Sequence, residues 1–329
     1  MNKNLELKDK KILVTGGAGF IGSNLCEYLL ASQAYVVCLD DFSTGHLHNI
    51  KEFLNNNRFK LIEGDIRDIE TCQSACMGQD FILHQAALGS VPRSLKDPIS
   101  SNEVNVSGFL NMLVAARDNK VKRFIFAASS STYGDSKELP KIEDKIGKPL
   151  SPYAITKYVN ELYADIFSKS YGLQTIGLRY FNVFGRRQDP NGAYAAVIPL
   201  FVKQLMNYKS PLINGDGSYS RDFTYIDNVI QMNILAITTN CEKAINQIYN
   251  TAVGDRTTLI ELVNSLKKHL SEFDPKIKDV VIKYGPNREG DIPHSLASVD
   301  KAKKLLKYNP SHQIDSGIKE SIKWYYKNL

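Results

Sequence analysis

Tyr153 and Lys157 place a phenol and an ammonium group four residues apart, directly behind Pro152. If this segment opens a helix, Pro152 is tolerated in the first turn and the two side chains lie on one face. An unperturbed tyrosine has a pKa of about 10, and a neighbouring cation favours the phenolate. The pair therefore predicts a phenol that exchanges a proton near neutral pH. Taken alone, the same spacing also describes an ordinary surface pair.

A second chemical signal is the glycine-rich stretch at 16–22, which follows an apolar run at 11–15 and precedes a helical pattern at 23–32. Strand, glycine turn and helix in this order are typical of dinucleotide binding. In that interpretation Gly16 permits the tight turn, Gly19 lets the backbone approach a pyrophosphate, and Gly22 lets helix and strand pack closely. The helix N-terminus supplies N–H groups and a positive dipole for the phosphates.

Asp40 ends the next apolar run, at 35–39, and Asp41 follows it. A carboxylate at this point of a dinucleotide fold accepts hydrogen bonds from the ribose hydroxyls of the adenosine and repels a 2′-phosphate. The sequence therefore favours NAD over NADP, with Asp40 as the ribose ligand. The alternative is an aspartate that only caps a helix or closes a turn.

These residues must be positioned by secondary structure, and the hydrophobic pattern predicts which elements do so. Strands are predicted at 11–15, 35–39, 59–63, 80–83, 124–128 and 174–178, and helices at 23–32, 100–119 and 152–171. This alternation predicts a doubly wound parallel sheet of the Rossmann type, which binds ligands at the carboxyl ends of its strands. At those ends we expect Asp65 and Ile66 to flank an adenine and Ala86 and Ala87 to lie against the cofactor. We expect His84 to be structural.

The pattern changes after position 179, where turns at 189–192 and 214–217 break the chain into shorter elements. Helices are predicted near 194–207, 227–239, 259–270, 299–306 and 315–327. We expect a smaller, mixed α/β lobe that faces the sheet edge. The predicted NAD-binding domain spans 1–179 plus about 226–252, and the predicted substrate domain spans about 180–225 plus 253–329.

Composition excludes several classes of protein. The chain has 329 residues and a net charge of +6 that is spread along its length, so nucleic-acid binding is not predicted, whereas a small polyanionic substrate fits. No signal peptide and no apolar run of about 18 residues is present, so we expect a cytoplasmic protein without membrane contact. The five cysteines predict reduced thiols, and no spacing predicts a metal site.

Taken together, the glycine turn, Asp40, the serine run at 129–131 and the Tyr153/Lys157 pair resemble the extended short-chain dehydrogenase/reductase family. The segments 179–185, 221–223 and 288–291 resemble the nucleotide-sugar enzymes of that family, and UDP-sugar 4-epimerases most of all. The resemblance implies a tightly held NAD, Tyr153 as acid and base, and Lys157 as the bridge to the nicotinamide ribose that lowers the tyrosine pKa. It implies Ser129 as the group that orients the sugar 4-hydroxyl, and Ser130 or Ser131 as residues that share this work.

The resemblance also implies the ligands of both small molecules. For NAD the expected residues are Gly16, Gly19, Phe20, Ile21, Gly22, Asp40, Asp41, Asp65, Ile66, Gln85, Ala86, Ala87, Asn105, Tyr153, Lys157, Tyr180, Asn182 and Val183. For the UDP-sugar they are Gly89, Ser90, Ser129, Ser130, Ser131, Asn182, Gln188, Ala196, Val197, Pro199, Asn214, Arg221, Arg288, Asp291 and Ser295. Arg221 and Arg288 are the expected diphosphate ligands, because an arginine fork binds phosphate oxygens in pairs.

Three features resemble the subgroup that prefers N-acetylated hexosamines. The turn after the fourth strand is Gly89-Ser90, where glucose-type epimerases carry a bulkier pair. Ser295 stands where they carry a tyrosine, and Gln188 with the following loop also fits the subgroup. The expected reaction interconverts UDP-N-acetylglucosamine and UDP-N-acetylgalactosamine. Simple drift at these loop positions is the alternative.

Other functions on this scaffold remain open. They are a UDP-glucose/UDP-galactose or dual-specificity epimerase, a sugar 4,6-dehydratase or decarboxylase, and a non-catalytic NAD-binding regulator. Dehydratases carry an Asp-Glu pair where this chain has Ser130 and Ser131, and regulators commonly lose the tyrosine or lysine.

A homodimer with a four-helix interface is also expected. The apolar residues Phe109, Met112, Leu113, Leu162 and Phe167 are too many for one buried stripe.

Overall fold

The computed structural model describes residues 4–191, 195–286 and 292–328. Two residues predicted as substrate ligands, Arg288 and Asp291, lie outside these ranges. The predicted first residue of the helix at 194–207 also lies outside them.

The centre of the molecule is a seven-stranded parallel sheet. The described residues also form smaller strand pairs, so the strands of the central sheet and of these pairs are numbered together. In chain order they are β1 (Lys11–Thr15), β2 (Tyr35–Asp40), β3 (Phe59–Glu63), β4 (Phe81–His84), β5 (Arg123–Ser129), β6 (Gln174–Tyr180), β7 (Val183–Phe184), β8 (Leu212–Asn214), β9 (Ser220–Arg221), β10 (Thr224–Tyr225), β11 (Gln247–Thr251), β12 (Thr257–Thr258) and β13 (Lys283–Gly285). The central sheet has the order β11-β6-β5-β4-β1-β2-β3. The order reverses between β1 and β4, which opens a crevice at their carboxyl ends. The predicted fold class is confirmed.

The helices pack on this sheet and on the smaller strand pairs. They are α1 (Asn4–Leu7), α2 (Phe20–Ala31), α3 (Ile69–Cys76), α4 (Val91–Lys96), α5 (Pro98–Asn102), α6 (Phe109–Asp118), α7 (Pro152–Tyr171), α8 (Val197–Met206), α9 (Ile226–Thr238), α10 (Leu259–Leu270), α11 (Asp300–Leu306) and α12 (Ile314–Asn328). Helix α2 begins three residues before the predicted position, so its first turn lies inside the glycine stretch. Among the described residues, no helix combines the length and the apolar character needed to cross a membrane.

The long helix predicted at 100–119 is interrupted. A π-helical segment, Glu103–Gly108, joins α5 to α6. The wider turn directs the Asn105 side chain into the protein. Its Oδ1 accepts from the Leu88 N–H at 2.7 Å. Its Nδ2 donates to the Leu88 carbonyl at 3.1 Å and to the Thr156 hydroxyl at 3.2 Å. Such segments are rare and frequently mark functional sites. Here the segment fixes the loop that follows β4.

Helix α7 is the longest helix and has clear end signals. Ser151 caps its N-terminus by accepting from the Ala154 N–H at 3.2 Å, Pro152 occupies the first turn, and Gly172 ends the helix in the left-handed conformation. Inside the protein, Arg179 of β6 binds both carboxylate oxygens of Glu161 at 2.8 and 2.7 Å. This buried ion pair fixes α7 against β6 and therefore helps to position Tyr153, two turns earlier.

Four of the five apolar residues behind the dimer prediction face the chain's own core, and some of them were expected to face the sheet. Phe109, Met112, Leu113 and Phe167 are buried in the chain's own core. Leu162 is 50% exposed, and the other exposed aliphatic residues on α7 are Ile155 and Ile166. A stripe pattern cannot distinguish a face that packs on the sheet from one that packs on a partner, so the homodimer stays a prediction.

Candidate active site

A cavity of about 360 Å³ lies at the carboxyl ends of β1, β2 and β4, where the strand order reverses. It is large enough for part of a dinucleotide and is formed mostly by backbone and small side chains. Eleven of the residues predicted as NAD ligands line it: Gly16, Gly19, Phe20, Ile21, Gly22, Asp40, Asp41, Ile66, Gln85, Ala86 and Ala87. Gly89, predicted on the substrate side, also lines it.

The glycine turn leaves no room for side chains. Gly16 has a φ of +67°, and a Cβ atom there would meet the Ala86 nitrogen at 2.8 Å. A Cβ atom on Gly22 would meet the Gly16 carbonyl oxygen at 2.0 Å. The backbone therefore borders the cavity directly, next to the N-terminus of α2. N–H groups and a positive helix end in such a position suit a pyrophosphate.

Asp40 lies at the end of β2 and is almost fully buried. Its Oδ2 accepts from the Ala18 N–H at 2.8 Å and its Oδ1 accepts from the Phe42 N–H at 2.9 Å. Burial raises the pKa of this carboxyl, and the backbone hydrogen bonds offset part of the rise. Each oxygen keeps a second lone pair, so both can accept from a ribose diol. Asp40 thus closes a turn and is also placed for the predicted ribose contact.

Three predicted NAD residues make contacts within the protein instead of lining this cavity. Asp65 pairs with Arg67 through nitrogen–oxygen distances of 2.5 and 2.8 Å. Asn105 holds Leu88, as described above. The Tyr180 hydroxyl donates to Gln85 at 3.0 Å and accepts from Asn233 at 2.9 Å. Asn105 and Tyr180 therefore support the loop at 85–88 that lines the cavity.

Several lining residues were missed by sequence reasoning, namely Leu39, Ser43, Thr44, Gly45, Gly64, Leu88, Arg93 and Val104. The turn at 43–45 has a signal, since Ser-Thr-Gly shortly after the Asp40-Asp41 pair is a typical turn sequence. His84 is structural, as predicted. Its ring is buried against Phe109 and Phe124 and shares a 2.8 Å hydrogen bond with Thr15.

The three predicted catalytic residues meet at the carboxyl end of β5. Lys157 donates from Nζ to the Ala127 carbonyl at 2.8 Å, and Nζ lies 5.9 Å from the centre of the Tyr153 ring. Ser129 is the last residue of β5, and its hydroxyl oxygen accepts from Ser131 Oγ at 2.9 Å and from the Ser131 N–H at 3.1 Å. Ser94 of α4 accepts from the Tyr153 N–H at 3.0 Å. The first turn of α7 is therefore attached to the wall of the first cavity.

The titration behaviour of this cluster differs from the expectation. Burial raises the pKa of Tyr153, and a hydrogen bond with Ser129 offsets part of the rise. Burial also lowers the pKa of Lys157 to about 8. Spacing along a helix does not reveal how far both groups leave water, so burial opposes the expected lowering in the protein alone. The lowering by Lys157 and the positive nicotinamide ring together stays a prediction.

A second cavity, of about 310 Å³, lies beyond β6 and is formed by side chains from separate segments. Seven residues predicted for substrate or NAD line it: Asn182, Val183, Gln188, Ala196, Val197, Asn214 and Arg221. Ala195, Ile198, Phe184, Phe223 and Leu259 complete the wall and were not predicted. Pro199 is buried in α8 and is not part of the wall.

Among the described residues, the other substrate predictions are not part of the two cavity linings. Ser130 and Ser131 are half-buried in the turn after β5. Ser90 has a φ of 110° and caps α4 by accepting from the Arg93 N–H at 3.2 Å. Ser295 is half-buried, and its N–H donates to the Ser220 carbonyl at 3.0 Å, next to Arg221.

Asp222 is a buried residue whose role sequence reasoning missed. It accepts from the N–H groups of Val253, Gly254 and Ala297 at 3.0, 3.1 and 3.3 Å. Burial raises its pKa to about 7. Through these bonds Asp222 ties the strand of Arg221 to the segment that carries Ser295, so it holds one wall of the second cavity in place.

Comparisons with known proteins agree with this geometry. Residues 12–252 match the model of the NAD dependent epimerase/dehydratase family. A putative UDP-glucose 4-epimerase from Methanocaldococcus jannaschii is 34% identical over 96% of this chain and 99% of its own length. Among the described residues, no group of His, Cys, Asp or Glu is arranged to hold a metal ion.

Two solved structures have the same fold. The UDP-N-acetylglucosamine 4-epimerase of Methanobrevibacter ruminantium, in complex with UDP-N-acetylmuramic acid, aligns with a TM-score of 0.90 and 36% identity over 98% of this chain and 100% of its own. The UDP-glucose 4-epimerase of Thermotoga maritima, with UDP-glucose, aligns with a TM-score of 0.87 and 33% identity over 96% and 98%. The glycine turn, the buried Asp40 and these matches lead to one conclusion: the chain is an enzyme of the NAD dependent epimerase/dehydratase family, and its cofactor is NAD.

Proposed function

We propose that the protein is a UDP-sugar 4-epimerase that interconverts UDP-N-acetylglucosamine and UDP-N-acetylgalactosamine through a transient 4-keto sugar. The observation that carries the proposal is the position of Ser129, Tyr153 and Lys157. They stand at the end of β5, between the strand ends that border the NAD cavity and the residues after β6 that line the second cavity. In the sheet, Ser129 pairs with Tyr180, two residues before Asn182.

The reaction needs a proton and a hydride to leave the sugar together. When bound, NAD accepts and returns the hydride of C4, and its positive ring favours a nearby phenolate. Tyr153 takes the proton from O4 and gives it back after the sugar has turned in the site. Ser129 orients the 4-hydroxyl, and Lys157 below about pH 8 adds a positive charge beside the phenol.

The second cavity suits the rest of the substrate. Arg221 offers a guanidinium to the diphosphate, while Asn182, Gln188 and Asn214 offer amides to sugar or base. Ala196 and Val197 supply an apolar wall. Arg288 and Asp291 stay in the proposal as ligands from the sequence alone, and Pro199 is retained as a residue that supports the wall.

The N-acetyl preference rests on the small residues near the sugar. Gly89 has open space around it, since a Cβ atom there would meet nothing within 4 Å. Ser295 lies on the segment that runs beside Arg221. An N-acetyl group is larger than a hydroxyl by three heavy atoms, so a pocket without bulk at these positions favours it. The alternative, a UDP-glucose/UDP-galactose or dual-specificity epimerase, is supported by the names of two of the similar proteins.

Dehydration is the weaker alternative. It requires an acid and a base beside the catalytic serine, and the hydroxyls of Ser130 and Ser131 cannot serve as that pair. A non-catalytic regulator would not require Tyr153, Lys157 and Ser129 to be held together at one strand end.

The test is a direct assay. Purified protein without added NAD is incubated with UDP-N-acetylglucosamine and, separately, with UDP-glucose, and the products are identified by NMR. We expect UDP-N-acetylgalactosamine from the first substrate and little turnover of the second. Turnover of UDP-glucose alone would replace the substrate assignment, and turnover of neither would overturn the proposed activity.

We also propose that the enzyme is a homodimer. Ile155, Leu162 and Ile166 are exposed along α7 at a spacing that puts them on one helix face. A partner copy would cover this face in a four-helix interface with the helix before it. The mass measured by light scattering at micromolar concentration tests this, and a monomer would contradict it.

A further inference from the structure

Residues 185–188 follow β7 and lie between the two cavities. Arg187 has a φ of 65° and Gly185 a φ of 150°, so the backbone makes a tight change of direction here. As a result, consecutive side chains point to different parts of the molecule. Gln188 lines the second cavity, whereas Arg187 reaches the elements that follow β1 and β2.

Arg187 makes two ion pairs in a mostly enclosed site. Its Nη1 lies 2.8 Å from Glu27 Oε2 and its Nη2 lies 2.7 Å from Glu52 Oε1. The guanidinium carbon lies 5.7 Å from the centre of the Phe53 ring, and only 10% of the side chain is exposed. Burial alone would raise the pKa of Glu27, but the ion pairs with Arg187 and Arg186 outweigh burial and lower it. The arginine is enclosed while the Glu27 and Glu52 side chains are 40% and 62% exposed, so the geometry is fixed mainly from the guanidinium side.

The same segment is held by three further contacts. The Arg186 carbonyl accepts from Asn24 Nδ2 at 3.1 Å, and Arg186 Nη1 lies 2.8 Å from Asp227 Oδ1. Tyr325 donates to the Gly185 carbonyl at 3.0 Å. The segment is therefore attached to α2, α9 and α12 at once.

The partners of Arg187 lead to the NAD cavity. Glu27 lies on α2, whose first three residues, Phe20, Ile21 and Gly22, line that cavity. Glu52 and Phe53 follow the turn at 43–45, which lines it from the β2 side. In the other direction, Gln188 donates from Nε2 to the Val183 carbonyl at 3.0 Å and faces the second cavity. Arg187 thus connects the walls of both cavities and lines neither.

We propose that Arg187 is a positioning residue that couples the two cavities. Its ion pairs hold residues 185–188 against the elements that bind NAD, and this fixes Gln188 for the UDP-sugar. The inference rests on the proposed function, because it takes the second cavity to be the UDP-sugar site. Since coupling between two sites is reciprocal, bound UDP should also slow the loss of NAD.

The test compares Arg187→Met and Arg187→Lys with a matched control, Arg58→Met, in the holoenzyme. Arg58 also pairs with a carboxylate, at 2.8 Å from Asp9, and lies 4.4 Å from the centre of a tyrosine ring, but it contacts neither cavity. For Arg187→Met we expect the KM for the UDP-sugar and the calorimetric Kd for UDP to rise about tenfold, with kcat within about twofold. Arg187→Lys should recover part of the loss, and Arg58→Met should change neither constant.

A lower Tm with unchanged KM and Kd would show a merely structural role and overturn the inference, as would a loss of kcat at constant KM. A second measurement follows NAD release after dilution, with and without UDP. UDP should slow release in the wild type and in Arg58→Met, but much less in Arg187→Met, and equal protection in all three would contradict the coupling. Wild-type protein that binds UDP but epimerises no UDP-sugar would refute the proposed activity and leave the coupling measurable, whereas protein that does not bind UDP would refute both.

Discussion

The two cavities are built in different ways. The first cavity lies along the carboxyl ends of β1, β2 and β4, where a tight glycine turn and a helix start bring backbone atoms and small residues to the sheet edge. The second cavity, which the proposal assigns to the UDP-sugar, is formed by side chains from five separated segments, with Asp222 and Arg187 outside its lining. Backbone construction makes the first site rigid and easy to recognise. Because side chains form the wall of the second cavity, single substitutions there can change which substrate the site accepts.

The catalytic residues at the boundary of the two cavities should give the largest effect. Tyr153→Phe removes only the hydroxyl that exchanges the O4 proton, so kcat should fall by about a thousandfold. NAD content and the Kd for UDP should stay unchanged, because neither cavity is altered. Steady-state kinetics, cofactor absorbance and calorimetry measure the three quantities, and near-normal turnover would exclude Tyr153 as the acid and base.

The backbone-built cavity should be broken by a single methyl group. A Cβ atom at Gly22 meets a backbone oxygen at 2.0 Å, so Gly22→Ala has to displace the glycine turn. Overpacking of this kind costs about 1–3 kcal/mol, which predicts a ten- to hundredfold weaker hold on NAD. Wild-type NAD content in Gly22→Ala would contradict the backbone account.

The side-chain-built cavity should change specificity while it keeps its cofactor. Ser295→Tyr adds bulk next to the sugar, and overpacking of about 1–3 kcal/mol predicts ten- to hundredfold discrimination against N-acetylated substrates. Turnover of UDP-glucose and UDP-galactose should persist or rise. The readout is the ratio of kcat/KM for the two substrate types. If that ratio stays within about twofold of wild type, the Gly89-Ser90 turn becomes the better candidate.

The smallest effect concerns pH. Lys157 has a pKa of about 8, so it carries a positive charge below that pH and loses it above. Lys157→Met should therefore be most defective relative to wild type below pH 8, by about tenfold, and the gap should narrow as the pH rises. The kcat/KM profiles of both proteins give the comparison. A constant ratio across the range would show that Lys157 does not act through its charge.

Sequence reasoning succeeded where the signal was local. The glycine turn, Asp40 at a strand end and the Tyr153/Lys157 spacing each depend on a few consecutive residues. It failed where packing between distant segments decides. The π-helical turn that directs Asn105 inward, the three N–H groups around Asp222 and the ion pairs of Arg187 all join residues far apart in the chain. The raised pKa of Tyr153 was missed for the same reason, since burial is a property of the fold.

If Tyr153 exchanges the O4 proton and a resident NAD would supply hydride transfer at C4, the hydrogen at C4 should return to the sugar that lost it. This central expectation is tested most directly with UDP-N-acetylglucosamine that carries deuterium at C4. The enzyme, with no NAD added, should produce UDP-N-acetylgalactosamine that keeps the deuterium at C4 in ordinary water. Deuterium lost to the solvent, or turnover that requires added NAD, would contradict the account.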